Sequence, residues 1–396
     1  MNFDFYLWTE YFLRFSHLVA GIAWIGSSFY FIWLDSSFEP LETPRKNVDG
    51  ETFMVHGGFY YHVQKRKIYP GELPRTLHWF KWEATLTWLT GWALLVVLYF
   101  LRDASLLRDP QISAITQAQA VGYALGFVAV SWFVYDLLWS ERLKRLRPLL
   151  AMVSLALFAS LPFALARVFS GRGVFILMGA MMGTMMLLNV WIRILPGQAK
   201  MLREAQSGQV PDFSVSLKSK TRSVHNTYFI FPVLFVMLSN HYPQIYNHPH
   251  RALLLVLLSV SGALIRHAMV TRVPVQRWTL APAAVGLAAL VWMTASPVGP
   301  GAELEGPPVE FAQVSRIVGS RCLACHSTHA TDEQYPTAPR GILFETEAQL
   351  RSRAEQVYLQ VVTAKAMPLA NRTGMTDEER QLIGRWIRQQ GLLRKP

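Results

Sequence analysis

Cys322 and Cys325 are the only cysteines in the 396-residue chain, and His326 follows the second directly in Arg321–Ser327, RCLACHS. Two thiols two residues apart, with an imidazole beside them, fit one chemistry above others. Cys-x-x-Cys-His attaches a c-type haem: both thiols bond the porphyrin vinyl groups, and the next histidine ligates the iron. The competing reading is a redox dithiol of the thioredoxin type followed by a chance histidine. That would need a βαβ pattern around the motif, and the surrounding sequence reads as helical. Two cysteines are also too few for a four-cysteine zinc site or a disulfide framework.

An iron held by one histidine keeps a sixth position, and two downstream methionines compete for it. Met367, in KAMPLAN, follows a helical stretch and precedes Pro368, so it is expected on an ordered loop reaching back over the haem. Met375, in TGMTDEE, stands beside the start of the last helix and is expected to pack. His326 and Met367 are therefore the expected iron ligands. His/Met ligation raises the reduction potential, which suits a carrier feeding a downstream cytochrome c or terminal oxidase. The stretch resembles bacterial cytochrome c domains: Cys322, Cys325 and His326, then Met367-Pro368, then a final helix with Trp386. That resemblance implies a small α-helical, class I-like domain with its haem on the periplasmic side.

The elements that must position this motif are helical. Phe311–Ser320, Gln349–Ala364 and Thr376–Gln390 have helical patterns. The last opens with Thr376 as N-cap and Glu379 three residues on, a capping box. Upstream, Ser296–Pro308 reads SPVGPGAELEGPP and makes a linker. The expected division is a membrane domain over 1–294, a Pro/Gly-rich linker over 295–309 and a cytochrome c domain over 310–396.

Everything before the linker reads as membrane. The chain is 52% hydrophobic and 16% charged, against about 25% charged in average soluble domains. A net charge of +12 fits nucleic acid in principle. The charges sit in short loops between apolar stretches, however, so the expected partner is a lipid bilayer and not nucleic acid. A helix needs roughly 20 mostly apolar residues to span the hydrocarbon core. Eight stretches qualify, near 8–34, 83–101, 120–139, 148–168, 173–192, 224–240, 251–270 and 278–294. The fold class is therefore all-α, about eight membrane helices followed by the small helical domain. The N-terminus lacks a basic n-region and a small-residue cleavage site, so the first stretch is expected to remain as a span.

Orientation follows from basic residues in the loops. The loops after spans one, three, five and seven carry nineteen Lys and Arg, and the alternate loops carry Arg102, Arg108, Arg172 and Arg251. The first set is expected in the cytoplasm, with both termini in the periplasm of a multi-pass bacterial inner-membrane protein. Within or at the ends of the spans stand Arg14, His17, Asp136, Arg167, Arg266 and His267. Such residues are costly in lipid and usually functional, although one at a helix end can simply snorkel. The directions of the spans place His78, Glu83, Asn189, Arg193, His225, Asn226, Arg266 and His267 at the inner side. Arg14, His17 and His241 fall at the outer side. Histidines at similar depth on different helices, His78, His225 and His267 inside and His17 and His241 outside, are candidate ligands for a haem b. His56 and His62, in HGGFYYH, fall on an inner loop.

His17–Asp35 (HLVAGIAWIGSSFYFIWLD), His56–Tyr60 (HGGFY), Leu77–Glu83 (LHWFKWE) and His225–Tyr242 (HNTYFIFPVLFVMLSNHY) resemble the membrane-bound bacterial urate oxidases, the PuuD-type urate hydroxylases. The resemblance covers essentially the whole chain. It implies oxidation of urate to 5-hydroxyisourate, with electrons passing through haem c to the respiratory chain and no peroxide formed. It assigns no urate-binding residues. Chemically, an anionic purine favours an Arg partner, amides and an aromatic face, and adding water needs a base. The inner set offers Arg266, Glu83 and Asn226 as candidate catalytic residues. Two other readings are a non-catalytic electron-transfer subunit between quinol or a dehydrogenase and cytochrome c, and a transporter or sensor with a fused cytochrome.

Overall fold

The computed structural model describes residues 5–102, 106–271, 274–295 and 306–393. Arg272 and residues 296–305 of the expected linker lie outside the described residues. The chain is overwhelmingly helical, and among the described residues seven helices are long and apolar enough to cross a membrane. The first, α1 (Phe5–Ser37), has 33 residues, about 50 Å of helix at 1.5 Å per residue. That exceeds the roughly 30 Å of hydrocarbon, so the helix is more than long enough to span. Its apolar side chains, such as Phe12, Phe15, Leu18 and Ile22, are exposed, as a surface solvated by lipid requires.

A two-stranded antiparallel hairpin follows, β1 (Val48–His56) and β2 (Phe59–Arg66), with His56 opposite Phe59. The segment between α1 and α2 that carries HGGFYYH is thus built around a hairpin. Gly57 and Gly58 take φ of 60° and 82°, the two left-handed positions a tight hairpin turn demands. The flanking aromatic and β-branched residues suit strands.

The membrane helices continue with α2 (Trp82–Leu95), α3 (Gln117–Leu138), α4 (Arg147–Leu165) and α5 (Gly171–Leu188). Both α2 and α5 run on into π-helical turns, Val96–Arg102 and Asn189–Ile194. Then come α6 (Leu195–Gln206), α7 (Ser214–Ser239), the short α8 (Pro243–Tyr246), α9 (Arg251–Val270) and α10 (Leu280–Ala295). The stretch expected as a span near 224–240 is part of α7 and is not among the seven. The helix starts ten residues earlier, and its first half carries Lys218, Lys220 and Arg222, so only its second half is apolar.

The C-terminal segment comprises α11 (Phe311–Arg321), α12 (Glu347–Ser352), α13 (Ala354–Val357) and α14 (Asp377–Gln389). The helix expected over 349–364 is broken at Arg353, whose φ of −120° and ψ of 15° leave the helical region, and it ends in a π turn over Tyr358–Thr363. The capping box at Thr376 and Glu379 forms as expected.

Packing divides the chain into two compact units. One comprises Met1–Leu94, Ala180–Leu234 and Ser259–Val285; the other Leu95–Gly179, Phe235–Leu258 and Gly286–Pro396. In the first, Met181, Met182 and Ile230 are almost wholly buried. In the second, Val174, Phe175, Leu177 and Met178 of α5 and Leu254 and Leu255 of α9 are almost wholly buried. A Cβ on Gly171 would collide with the Tyr246 carbonyl oxygen, so this close approach of backbone to α5 requires glycine. A hydrophobic cluster in that unit joins Val314, Ile317, Val318, Leu350, Met375, Ile383 and Trp386.

Candidate functional site

Arg266 of α9 is fully buried, at 0% exposure. Its guanidinium carbon lies 4.8 Å from the centre of the Phe29 ring of α1. Nε, Nη1 and Nη2 are all buried without a hydrogen-bond partner among the described residues. A desolvated cation–π contact is worth about 2 kcal/mol, well short of the several kcal/mol that burying an unpaired ion costs. The imbalance points to an anion on the open side of the fork, which suits a planar, bidentate acceptor.

Polar groups of the same unit stand nearby in the sequence pattern. The Tyr228 hydroxyl of α7 is hydrogen-bonded to Nδ1 of His267 at 2.7 Å, and its phenol couples electrostatically to Arg266. Phe231, one turn on, meets Phe29 edge to face, with ring centres 6.0 Å apart. Asn189, 0% exposed in the π turn after α5, donates from Nδ2 to Oδ1 of Asn226 at 2.8 Å, and Asn226 donates to the Met186 carbonyl at 2.9 Å. Such π turns recur at functional sites. Trp88 and Trp92 both donate to the Thr184 hydroxyl, at 3.0 and 3.2 Å. The structure thus joins Arg266 with Tyr228 and His267, and Asn226 with Asn189. Glu83 is half-buried at the start of α2.

The five membrane histidines are not equivalent. Nδ1 of His17 donates to the Thr87 carbonyl at 3.0 Å and lies 3.1 Å from the Thr90 hydroxyl. The ring packs over Gly91, where a Cβ would approach its Cε1 to 2.9 Å. A carbonyl only accepts, so Nδ1 carries the proton and Nε2 keeps its lone pair, the arrangement of an iron-ligating imidazole. His267 has Nδ1 occupied by Tyr228. His225 is half-buried, whereas His78 and His241 are exposed.

In the C-terminal segment, Cys322 caps the end of α11 and Cys325 follows three residues on, with no disulfide between them. Burial, and then the neighbouring Cys325, pushes the Cys322 thiol up to about 12. Nδ1 of His326 donates to the Ile342 carbonyl at 3.0 Å, leaving Nε2 with its lone pair. Met367 is 36% exposed, while Met375 is 2% exposed within the core cluster. The donor set of two thiols, an imidazole with Nε2 available and an unpacked thioether fits a covalently held haem.

A cavity of about 320 Å³ lies in the same unit, lined by Asp109, Arg172, Tyr246 and Arg251 and by loop residues such as Ala366 and Leu369. Arg172 donates to the Tyr246 hydroxyl at 2.8 Å, and Arg251 donates to the Ala166 carbonyl at 3.2 Å.

Sequence reasoning did not single out Phe29, Tyr228, Thr184, Tyr246 or Arg380. Tyr228 was within reach, since it stands three residues after His225 in the HNTY run. The others carry no local signal: Phe29 and Thr184 on apolar helices read as core, Tyr246 falls between spans, and Arg380 stands in a charged run.

Fold and site together define an all-α, multi-span membrane protein with a buried cationic site and a helical C-terminal segment carrying Cys-x-x-Cys-His. The chain belongs to the urate oxidase N-terminal family, whose model matches residues 4–296. It is thus a urate-related oxidoreductase family member, and the match ends before the C-terminal segment. No curated protein and no solved structure matches the chain.

Proposed function

We propose that this protein oxidises urate to 5-hydroxyisourate in the bacterial inner membrane, with haem c as electron acceptor and the respiratory chain beyond it. The observation that carries this reading is the fully buried, unpartnered guanidinium of Arg266 in a chain of the urate oxidase N-terminal family. Urate plus water gives 5-hydroxyisourate, two protons and two electrons. Arg266 binds the urate anion through its fork, and Phe29 backs the guanidinium. The Asn189–Asn226 pair orients the purine amides. Tyr228 and His267 hold and move a proton. Glu83 remains a candidate base.

Cys322 and Cys325 would hold haem c covalently, with His326 and Met367 as its iron ligands; when bound, the group supplies a one-electron acceptor of raised potential. The loop charges favour cytoplasmic loops after α1 and α3 and a periplasmic C-terminal domain, so downstream cytochrome c or a terminal oxidase is the partner. Urate entering from the cytoplasm would then stand about a bilayer's thickness from haem c. An inner site therefore needs a carrier within the membrane. The hydrogen-bonding of His17 fits it as a ligand of haem b.

A second reading puts urate in the cavity beside Arg172, Tyr246 and Arg251. What favours it is that the cavity is lined by Ala366, next to Met367, so no membrane carrier is needed. At about 320 Å³ it has the size of a small-ligand site. Substitution decides between them: loss of urate affinity in Arg266→Gln supports the first site, and its loss only in Arg172→Gln supports the second. Reduction of haem c by urate in the purified single chain separates either from a plain electron-transfer subunit.

A further inference from the structure

Arg380 sits in α14, in a run of charged residues, yet is only 4% exposed. Its nearest carboxylate, Asp377, stands 4.0 Å away, is exposed, and is paired with Lys365 at 2.7 Å. The guanidinium is instead spent on the backbone. Nη1 donates to the Val361 carbonyl at 2.7 Å and to the Met367 carbonyl at 2.6 Å. Nη2 donates to Oδ1 of Asn371 at 3.2 Å. Asn371 in turn clamps Met375, accepting from its N–H and donating to its carbonyl, both at 3.0 Å.

The loop so held is under strain. Lys365, Ala370 and Asn371 take φ of 48°, 48° and 50°, the left-handed region where a non-glycine residue costs roughly 1–2 kcal/mol. Such conformations persist only where surrounding contacts over-determine them, and they cluster at ligand clamps. Here the contacts are those of Arg380, Asn371 and the Gln360 carbonyl, which accepts from Ala366 and Met367 N–H at 2.7 and 3.0 Å. Between these anchors the Met367 side chain is left unpacked. Arg380 ties both sides of the loop, through Val361 and Met367 on one arm and Asn371 on the other.

We propose that Arg380 is a positioning residue that fixes the Met367 loop so that the thioether stays on the haem iron. The inference rests on the haem c reading above. Lysine keeps the charge but cannot reach three acceptors as a fork, so Arg380→Lys isolates geometry from electrostatics.

The test uses full-length protein purified from membranes. It reads the sulfur-to-iron charge-transfer band and the affinity for added imidazole, which competes for the sixth position. Arg380→Lys and Arg380→Met should retain covalent haem, weaken the band and raise imidazole affinity at least tenfold. Arg388→Met, which removes an exposed arginine that bonds the Tyr358 hydroxyl, should change neither. A wild-type band and imidazole affinity in both Arg380 variants would overturn the proposal. Should neither variant accumulate, Asn371→Ala reads the same loop: a weakened band supports the tether and an unchanged band overturns it. A wild-type chain without a c-type haemochrome spectrum would overturn the haem reading itself, before any variant is compared.

Discussion

The Tyr228 hydroxyl stands 2.7 Å from Nδ1 of His267, the residue that follows the buried Arg266. Anion holder and proton pair are thereby tied to one turn of α9 and one turn of α7. If the pair works as a unit, Tyr228→Phe and His267→Gln should each lower turnover at least tenfold, and the double variant should lose little more. General acid–base groups typically contribute about 10²–10⁴-fold. Additive losses in the double variant, measured as kcat at saturating urate, would separate the two residues.

Arg266→Gln should raise KM for urate by roughly 10–150-fold, since a charge-assisted hydrogen bond is worth about 1.5–3 kcal/mol. The same variant should gain thermal stability in the absence of urate, because it removes a buried ion with no partner. Steady-state kinetics and thermal unfolding with and without urate check both halves. Unchanged kinetics, with urate affinity lost in Arg172→Gln, would move the site to the second cavity.

Much of this arrangement was legible beforehand. Hydropathy finds the long helices because each carries an apolar stretch long enough to cross hydrocarbon, and an ionisable residue such as Arg266 stands out against such a background. The Thr376 cap was readable because its chemistry is local. The hairpin at His56–Phe59 was not, since the polar and aromatic residues of VDGETFMVH and FYYHVQKR do not alternate cleanly. Phe29 and Tyr246 were hidden for a different reason. Each acts through a partner far along the chain, Phe29 with Arg266 and Tyr246 with Arg172, and helix patterns do not encode such pairs. Arg380 looked like its neighbours Arg385 and Arg388, and only burial sets it apart.

The two methionines should behave oppositely. Met367→Ala should lower the midpoint potential and abolish the sulfur-to-iron band with little change in stability, because the side chain is 36% exposed. Met375→Ala, at 2% exposure in the core cluster, should cost about 2–5 kcal/mol of stability and keep the band. Reversed outcomes in redox titration and thermal unfolding would exchange their roles.

Glu379 predicts an acid limit for the C-terminal segment. Burial pushes its carboxyl up, but hydrogen bonds from Arg321 and from the Thr376 N–H outweigh it and hold the group below the usual carboxylate range. A depressed folded-state value contributes stability above the unfolded value and loses it as pH falls through the folded one. Stability should therefore decline below about pH 4. Arg321→Ala should flatten that decline, as read by thermal unfolding across pH.

Cofactor content has its own outcome. The wild-type chain should retain haem after acid-acetone extraction, and Cys322→Ala with Cys325→Ala should release it while the membrane helices still insert. A haemochrome spectrum should show b-type haem in addition, lost in His17→Ala. Only c-type haem, one per chain, would remove the membrane carrier and favour the cavity beside Arg172.

The most direct measurement is anaerobic addition of urate to the purified, oxidised single chain, followed in the visible spectrum. The account predicts that the c-type haem bands become reduced in proportion to urate, with 5-hydroxyisourate formed and no peroxide, and that Arg266→Gln slows this at limiting urate. A haem c that stays oxidised in excess urate, yet is reduced by quinol, would contradict it and leave an electron-transfer subunit.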